Sequence, residues 1–155
     1  VVDELGEVLV HGVAIKPGYP VALGVVQETP VLMLPGNPVA CIVTAVQFLR
    51  PLLKHVGHLP IGPLPTRPAT LDRKLPSEPG TRTFARVETS RDDAETPSDT
   101  SDGDAPPLTA TPVRTGGAGI LSSVALADGL VVVPEDREGY SAGETVAVED
   151  WEAMP

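Results

Sequence analysis

The groups best suited to chemistry in this chain are cations set beside rigid, glycine-containing turns. Lys16 opens the turn Lys16-Pro17-Gly18-Tyr19-Pro20, directly after the apolar pair Ala14-Ile15. A second turn, Pro35-Gly36-Asn37-Pro38, follows the apolar run Val31 to Leu34 and leads straight into an apolar helical pattern. A helix N-terminus leaves backbone N–H groups unpaired and carries a partial positive charge, so it attracts anions. Gly36 would let a ligand approach the backbone, Pro35 and Pro38 would hold the turn rigid, and Lys16 would add a full charge. Ligands of open α/β sheets gather beyond the carboxyl ends of strands, so both turns could line one edge. Taken as local sequence alone, the same residues also describe two tight strand connections with a solvated lysine.

Two further groups could hold an anion. Arg82, Phe84 and Arg86 alternate along a β-prone run, which puts them on one face of a strand. Two arginines flanking an aromatic could clamp an oxyanion in bidentate fashion, and an exposed charged strand face is the plainer alternative. Arg114 precedes Thr115-Gly116-Gly117-Ala118-Gly119, whose backbone N–H groups could form an anion nest or simply a flexible hairpin. His11, His55 and His58 show no metal-ligand spacing, and Cys41 alone makes neither an internal disulfide nor a thiolate metal site. There is no serine-histidine-acid arrangement and no Walker-type loop. Asp128-Gly129 reads as a hairpin turn.

These residues must be positioned by a chain of 155 residues with net charge −10, 41% hydrophobic and only 3% aromatic. Val, Leu, Ile and Ala therefore do the packing, and the acidic balance argues against a nucleic-acid or anionic-membrane surface. The uncharged run from Thr29 to Leu49 could span a bilayer by length. Pro35, Gly36, Asn37 and Pro38 divide it into a strand and a helix, which points to a soluble, cytoplasmic protein.

Val1 to Leu5 reads as the tail of a helix capped by Gly6, and Val8 to Val10 as a buried strand. Val21 to Val26 and Val31 to Leu34 read as short strands buried on both faces. Asn37 is a good N-cap and Pro38 a good first helical residue. Val39, Ile42, Val43, Val46, Leu49 and Leu53 then recur at helical spacing until Pro51 kinks or ends the helix. This set resembles the closing part of a three-layer α/β domain, over residues 1–56.

Residues 57–67 form a linker, and 68–155 carry β-prone runs at the spacing of a small antiparallel barrel or sandwich. Those runs are Ala69 to Leu75, Thr83 to Glu88, Leu108 to Arg114, Leu121 to Leu126, Leu130 to Val133 and Thr145 to Glu149. Residues 91–107 hold six acidic residues and no large apolar one, the composition of a disordered acidic insert.

Together the two turns resemble those of the molybdopterin molybdenumtransferase family, which read Ala-Ile-Lys-Pro-Gly-Lys-Pro and Leu-Pro-Gly-Asn-Pro-Val. The C-terminal half is similar as well. Arg82-Thr-Phe-Ala-Arg86 matches an Arg-x-x-Phe-x-Arg strand with one residue fewer, and Gly116 to Ser123 matches a glycine-serine loop. Ala127-Asp-Gly-Leu130 through Pro134 and Gly143-Glu-Thr-Val146 match the closing runs.

The resemblance implies the C-terminal part of a three-layer α/β molybdopterin-binding domain followed by a β-barrel domain. It implies insertion of molybdate or tungstate into adenylylated molybdopterin, giving the molybdenum cofactor and AMP in a Mg2+-dependent step. It places Lys16 at the reaction, with Pro35, Gly36, Asn37, Pro38, Arg82, Arg86, Gly117, Ala118 and Ser123 around the substrate.

Tyr19 stands where many members have a second lysine, and Ala118 where many have a serine. The acidic residues that would hold magnesium are expected upstream of this chain. The chain then reads as a fragment of a longer, homodimeric parent. A non-catalytic assembly module of the gephyrin kind, or a molybdopterin-binding adenylyltransferase relative, is the alternative.

Overall fold

The computed structural model describes residues 1–91, 108–113 and 125–150. Helix α1 (Val2–Leu5) stops at Gly6, whose N–H donates to the Val2 carbonyl at 2.9 Å. Gly6 is extended rather than left-handed, and a Cβ there would lie 2.0 Å from the Val25 carbonyl oxygen. Close approach of a strand, not cap geometry, demands this glycine.

Strands β1 (Glu7–His11), β3 (Ala22–Val26) and β4 (Thr29–Met33) pair antiparallel in the order β1-β3-β4. The expectation of a buried strand at Val8 to Val10 fails, because Leu9 and Val10 are exposed. Strands β3 and β4 are likewise only partly buried. An antiparallel hairpin needs only one covered face, whereas the expectation supposed strands covered on both.

Helix α2 (Pro38–Val56) begins as its sequence dictates. The Asn37 Oδ1 accepts from the N–H groups of Val39 (3.1 Å) and Ala40 (3.3 Å), and Pro38 supplies the first helical residue. Its buried stripe of Val39, Ala40, Val43, Thr44 and Val46 faces the core. Pro51 does not end it. Residues Ala45–Leu49 form one π turn, in which the Arg50 N–H reaches back to the Ala45 carbonyl. The helix has thus widened just where the proline ring and missing donor would break an α ladder, and it runs on to Val56. By length and composition α2 is the one helix among the described residues able to cross a membrane, although its inner face is packed on strands.

The second half is a barrel. Strands β7 (Arg82–Arg91), β8 (Leu108–Pro112), β5 (Thr66–Leu71), β11 (Thr145–Glu149) and β9 (Gly129–Val133) pair in that order, and β9 pairs back onto β7 to close it. The ladder is mixed rather than all antiparallel, because β5 and β8 run parallel. Leu71, Val87, Val131, Val133, Val146 and Val148 fill the interior. Small β-branched side chains suffice for a five-stranded barrel, which explains a core with almost no aromatics.

A two-stranded ribbon, β6 (Leu75–Pro76) with β10 (Gly139–Tyr140), lies beside the barrel. Of the expected run Leu121 to Leu126, residues 121–124 lie outside the described residues, and Leu126 sits exposed in a turn. The insert lies outside them too, from residue 92 to 107.

The two halves are joined by strand β2 (Ile15–Lys16), which adds parallel to β7 with Ile15 opposite Arg82 and Lys16 opposite Thr83. Ile15, Val21, Val43 and Phe84 form one buried cluster across this joint. A second contact sets Ile42 of α2 on Leu130 and Ala127 of the barrel.

The Lys16–Pro20 turn is locked on α2 through Gly18, at φ +127, where a Cβ would lie 2.6 Å from Thr44 Cγ2 and 2.9 Å from Ile15 Cδ1. Gly36 has no atom within 4 Å of such a Cβ. Gly18→Ala should therefore cost about 1–3 kcal/mol of stability, while Gly36→Ala should fall within about 0.5 kcal/mol of wild type. Urea unfolding of the two variants side by side checks this, and equal midpoints would refute it.

Candidate functional site

The β2–β7 ladder brings together two cations that are 66 positions apart in the sequence. Lys16 and Arg82 occupy adjacent rungs on strands whose backbones run about 4.8 Å apart. Matched residues of a parallel pair share a face, so Arg82 goes with Ile15 and Phe84, and Lys16 goes with Thr83. The two side chains therefore leave the same sheet edge on opposite faces.

Each cation already meets a carboxylate. Lys16 Nζ donates to Glu78 Oε1 at 3.0 Å. Arg82 uses two nitrogens on Glu135, with Nε to Oε2 at 2.9 Å and Nη2 to Oε1 at 3.4 Å. Hydrogen bonding by its own backbone N–H, then by Arg82, holds the Glu135 carboxyl below the usual carboxylate range. Glu78 and Glu135 lie in neighbouring turns, tied by the Gly80 N–H donating to the Glu135 carbonyl at 2.7 Å. All four side chains are about half exposed or more, so these pairs are weak and exchangeable.

Sequence reasoning missed both acids. No local pattern marks them, and only the closed register of the barrel shows which loops meet Lys16 and Arg82.

The second turn is open but its donors are occupied. Pro35 is buried, while Gly36, Asn37 and Pro38 are exposed. Pro38 has no N–H, Val39 and Ala40 donate to the Asn37 side chain, and Cys41 donates to the Asn37 carbonyl at 2.8 Å. The positive end of α2 thus presents its dipole to solvent with its first N–H groups satisfied within the cap. The Lys16 turn meets α2 at Thr44, six residues beyond Pro38 and so about 9 Å along the axis. Lys16 is built into the barrel edge rather than into this helix terminus.

Phe84 and Arg86 do share a face with Arg82, and that face is not a plain charged surface. Phe84 is buried in the joint, and Arg86 is buried beside it, where desolvation lowers its pKa. Across the barrel's outer face Arg86 stands opposite Leu130, and Leu130 opposite Glu149. Burial pushes the Glu149 carboxyl upward, opposed by the charge of Arg82, and its Oε2 has no hydrogen-bond partner. Arg114, Gly117, Ala118 and Ser123 lie outside the described residues. Among the described residues no group of three His, Cys, Asp or Glu side chains gathers to hold a metal. Glu78 and Glu135 face cations, so they do not form a magnesium set.

Comparison with known proteins gives this arrangement its context. The family model described as MoeA C-terminal region (domain IV) matches residues 68–151, and that described as "Probable molybdopterin binding domain" matches residues 1–55. A protein of Methanocaldococcus jannaschii named for molybdopterin biosynthesis is 36% identical over 147 residues, covering 95% of this chain and 31% of its own. Molybdopterin molybdenumtransferase 2 of Mycobacterium tuberculosis is 43% identical over 75 residues, covering 48% of this chain and 18% of its own. The crystal structure of a molybdopterin biosynthesis MoeA protein from Pyrococcus horikoshii superposes with a TM-score of 0.73 at 32% identity, over 99% of this chain and 34% of that one. The chain spans about a third of the length of the Methanocaldococcus and Pyrococcus proteins.

The strained acid of the outer face gives a pH test. A carboxyl raised in the fold is stabilising when protonated, and that contribution is lost as pH rises through the carboxylate range. Glu149→Gln should therefore match wild type near pH 4 and exceed it at pH 7.5, where the half-buried carboxylate is charged. Thermal melts at the two pH values check this, and a gap independent of pH would refute it.

Proposed function

The chain belongs to the family described as MoeA C-terminal region (domain IV), and on that premise we propose that its parent protein inserts molybdate or tungstate into adenylylated molybdopterin, releasing the molybdenum cofactor and AMP. Residues 1–56 supply the end of the molybdopterin-binding α/β domain, 57–67 the linker, whose last two residues already belong to β5, and 68–155 the barrel. The observation that carries the reading is the β2–β7 ladder, which makes the Lys16 turn and the Arg82 strand one continuous edge.

The substrates in this reading are anions, and a site for them must offer positioning and fixed positive charge. Lys16 contacts a reacting or transferring oxygen, and Arg82 and Arg86 hold charge on the barrel side. The Pro35-Gly36-Asn37-Pro38 turn forms an open, uncharged wall with the α2 dipole behind it. The family resemblance adds Gly117, Ala118 and Ser123 to the proposed substrate contacts.

The carboxylates of Glu78 and Glu135 act as resident counter-ions that the incoming anion displaces. They keep the two cations extended toward the edge in the absence of substrate. Displacing them costs little, because exposed pairs are worth about 1 kcal/mol or less. In the full-length parent the exposed apolar strip of Leu53, Val56, Leu59 and Ile61 supports burial against a second subunit of a cytoplasmic homodimer.

Binding of molybdopterin and of its adenylylated form to the chain, with and without molybdate, tests this proposal. Lys16→Ala should weaken binding about tenfold or more, the loss of one charge-assisted hydrogen bond. Equal affinity for both proteins, each folded by circular dichroism, would refute the role of Lys16.

A further inference from the structure

The Lys16 turn also displays a ring. Tyr19, three residues on, is 64% exposed, and among the described residues it is the one exposed aromatic. Phe84 is buried, Phe48 is partly buried in the joint, and Tyr140 is held between the Arg137 guanidinium, 4.2 Å from its ring centre, and the Val132 carbonyl.

Tyr19 is exposed without being loose. Its carbonyl accepts from the Val13 N–H at 3.0 Å, and the hydroxyl end of its ring lies against Gly12. A Cβ on Gly12 would sit 3.1 Å from Tyr19 Cζ and 3.2 Å from its hydroxyl oxygen. Gly12 also holds φ +87, a conformation that favours glycine. The missing side chain of Gly12 thus makes the seat in which this ring rests, and the rest of the ring faces solvent.

A solvent-facing aromatic held in place by backbone costs little entropy to dock against, which suits it to stacking with a flat ring. Lys16 lies within the same turn, three residues before Tyr19, so the Cα atoms of the two residues are at most about 11 Å apart. An ammonium and an aromatic platform carried on one short turn match a ligand that carries a phosphate and a planar heterocycle together.

We propose that Tyr19 is a binding residue that stacks on the planar heterocycle of a phosphate-bearing substrate, either its pterin or its adenine, while Lys16 holds the phosphate. This rests on the assignment of Lys16 to an anionic substrate made above. It adds a recognition element for the ring, at the position where many members of the family carry a lysine. Tyr19 in this chain exchanges a second charge for ring recognition.

Calorimetric titration of the whole chain with AMP, ribose 5-phosphate and molybdopterin tests the proposal, using Tyr19→Ala, Tyr19→Phe and Lys16→Ala. Tyr19→Ala should weaken AMP, molybdopterin or both by about fivefold or more, as loss of one aromatic stack does. It should leave ribose 5-phosphate unchanged, and Tyr19→Phe should bind as wild type does. A loss confined to AMP identifies adenine as the stacked ring, and a loss confined to molybdopterin identifies the pterin.

No loss with either ring ligand, an equal loss with ribose 5-phosphate, or a Tyr19→Phe as weak as Tyr19→Ala would each overturn the proposal. Lys16→Ala should weaken all three ligands. If it does so while Tyr19→Ala changes nothing, stacking fails and the anion site stands. If Lys16→Ala changes nothing, or wild type binds none of the three, both readings fall together.

Discussion

Everything in this molecule depends on a two-rung parallel ladder. Strand β2 contributes only Ile15 and Lys16, yet it fixes the α/β portion to the longest strand of the barrel. Two rungs could not hold that joint by hydrogen bonding alone, since each bond contributes a net of about 1 kcal/mol. The cluster of Ile15, Val21, Val43 and Phe84 supplies the rest, because it takes one side chain from β2, one from the residue before β3, one from α2 and one from β7. The same alternation that sends Ile15 inward turns Lys16 out on the opposite face, while Arg82 shares the face of Ile15 and Phe84 at the outer end of that row. Packing and placement of charge are therefore a single constraint, and a slip of one residue in this register would bury the lysine and expose the isoleucine.

The electrostatics of the edge follow from a chain whose net charge is −10. At physiological salt, charges more than about 8 Å away are largely screened, so the acidic surface does not decide what happens at Lys16. The near carboxylates do. Glu78 and Glu135 belong to the turns beside the β6–β10 ribbon, and Ser77 next to that ribbon shares a hydrogen bond with Thr83 of β7 at 2.7 Å. The helix N-terminus offers less than its sequence promises, because Asn37 turns its carboxamide back onto the first free N–H groups. The feature that makes Asn37 a strong cap removes those donors from any ligand.

Local signals in the sequence were legible where a local rule decides the structure. Asn37-Pro38 marks the start of α2 because cap chemistry involves neighbours only, and the shared face of Arg82, Phe84 and Arg86 follows from the period of a strand. The short apolar runs located the barrel strands for a similar reason. Where the outcome depends on distant partners, the sequence was silent or misleading. Val8 to Val10 looks like a buried strand, but antiparallel pairing leaves Leu9 and Val10 uncovered. Pro51 looks like a stop, yet a π turn one residue upstream lets α2 pass it. The neighbours of Lys16 could not be read at all. Glu78 is 62 positions away, and only the pairing of β2 with β7 brings its turn beside Lys16.

The turn that carries Lys16 is more constrained than turns of its length usually are. Gly18 presses on Thr44, the hydroxyl end of the Tyr19 ring rests on Gly12, and Gly12 donates to the Val21 carbonyl at 3.0 Å. Val21 in turn donates to the Gly18 carbonyl, so the chain is stitched to itself on both sides of the two prolines. Thr44, on which it leans, is itself buried and bonded to the Ala40 carbonyl at 2.7 Å. Ordering a loop on binding costs about 1–2 kcal/mol for each residue fixed, and here the fold has already met that cost. A ligand that reaches Lys16 meets a surface already in place, so its binding free energy goes into orientation rather than into folding the turn.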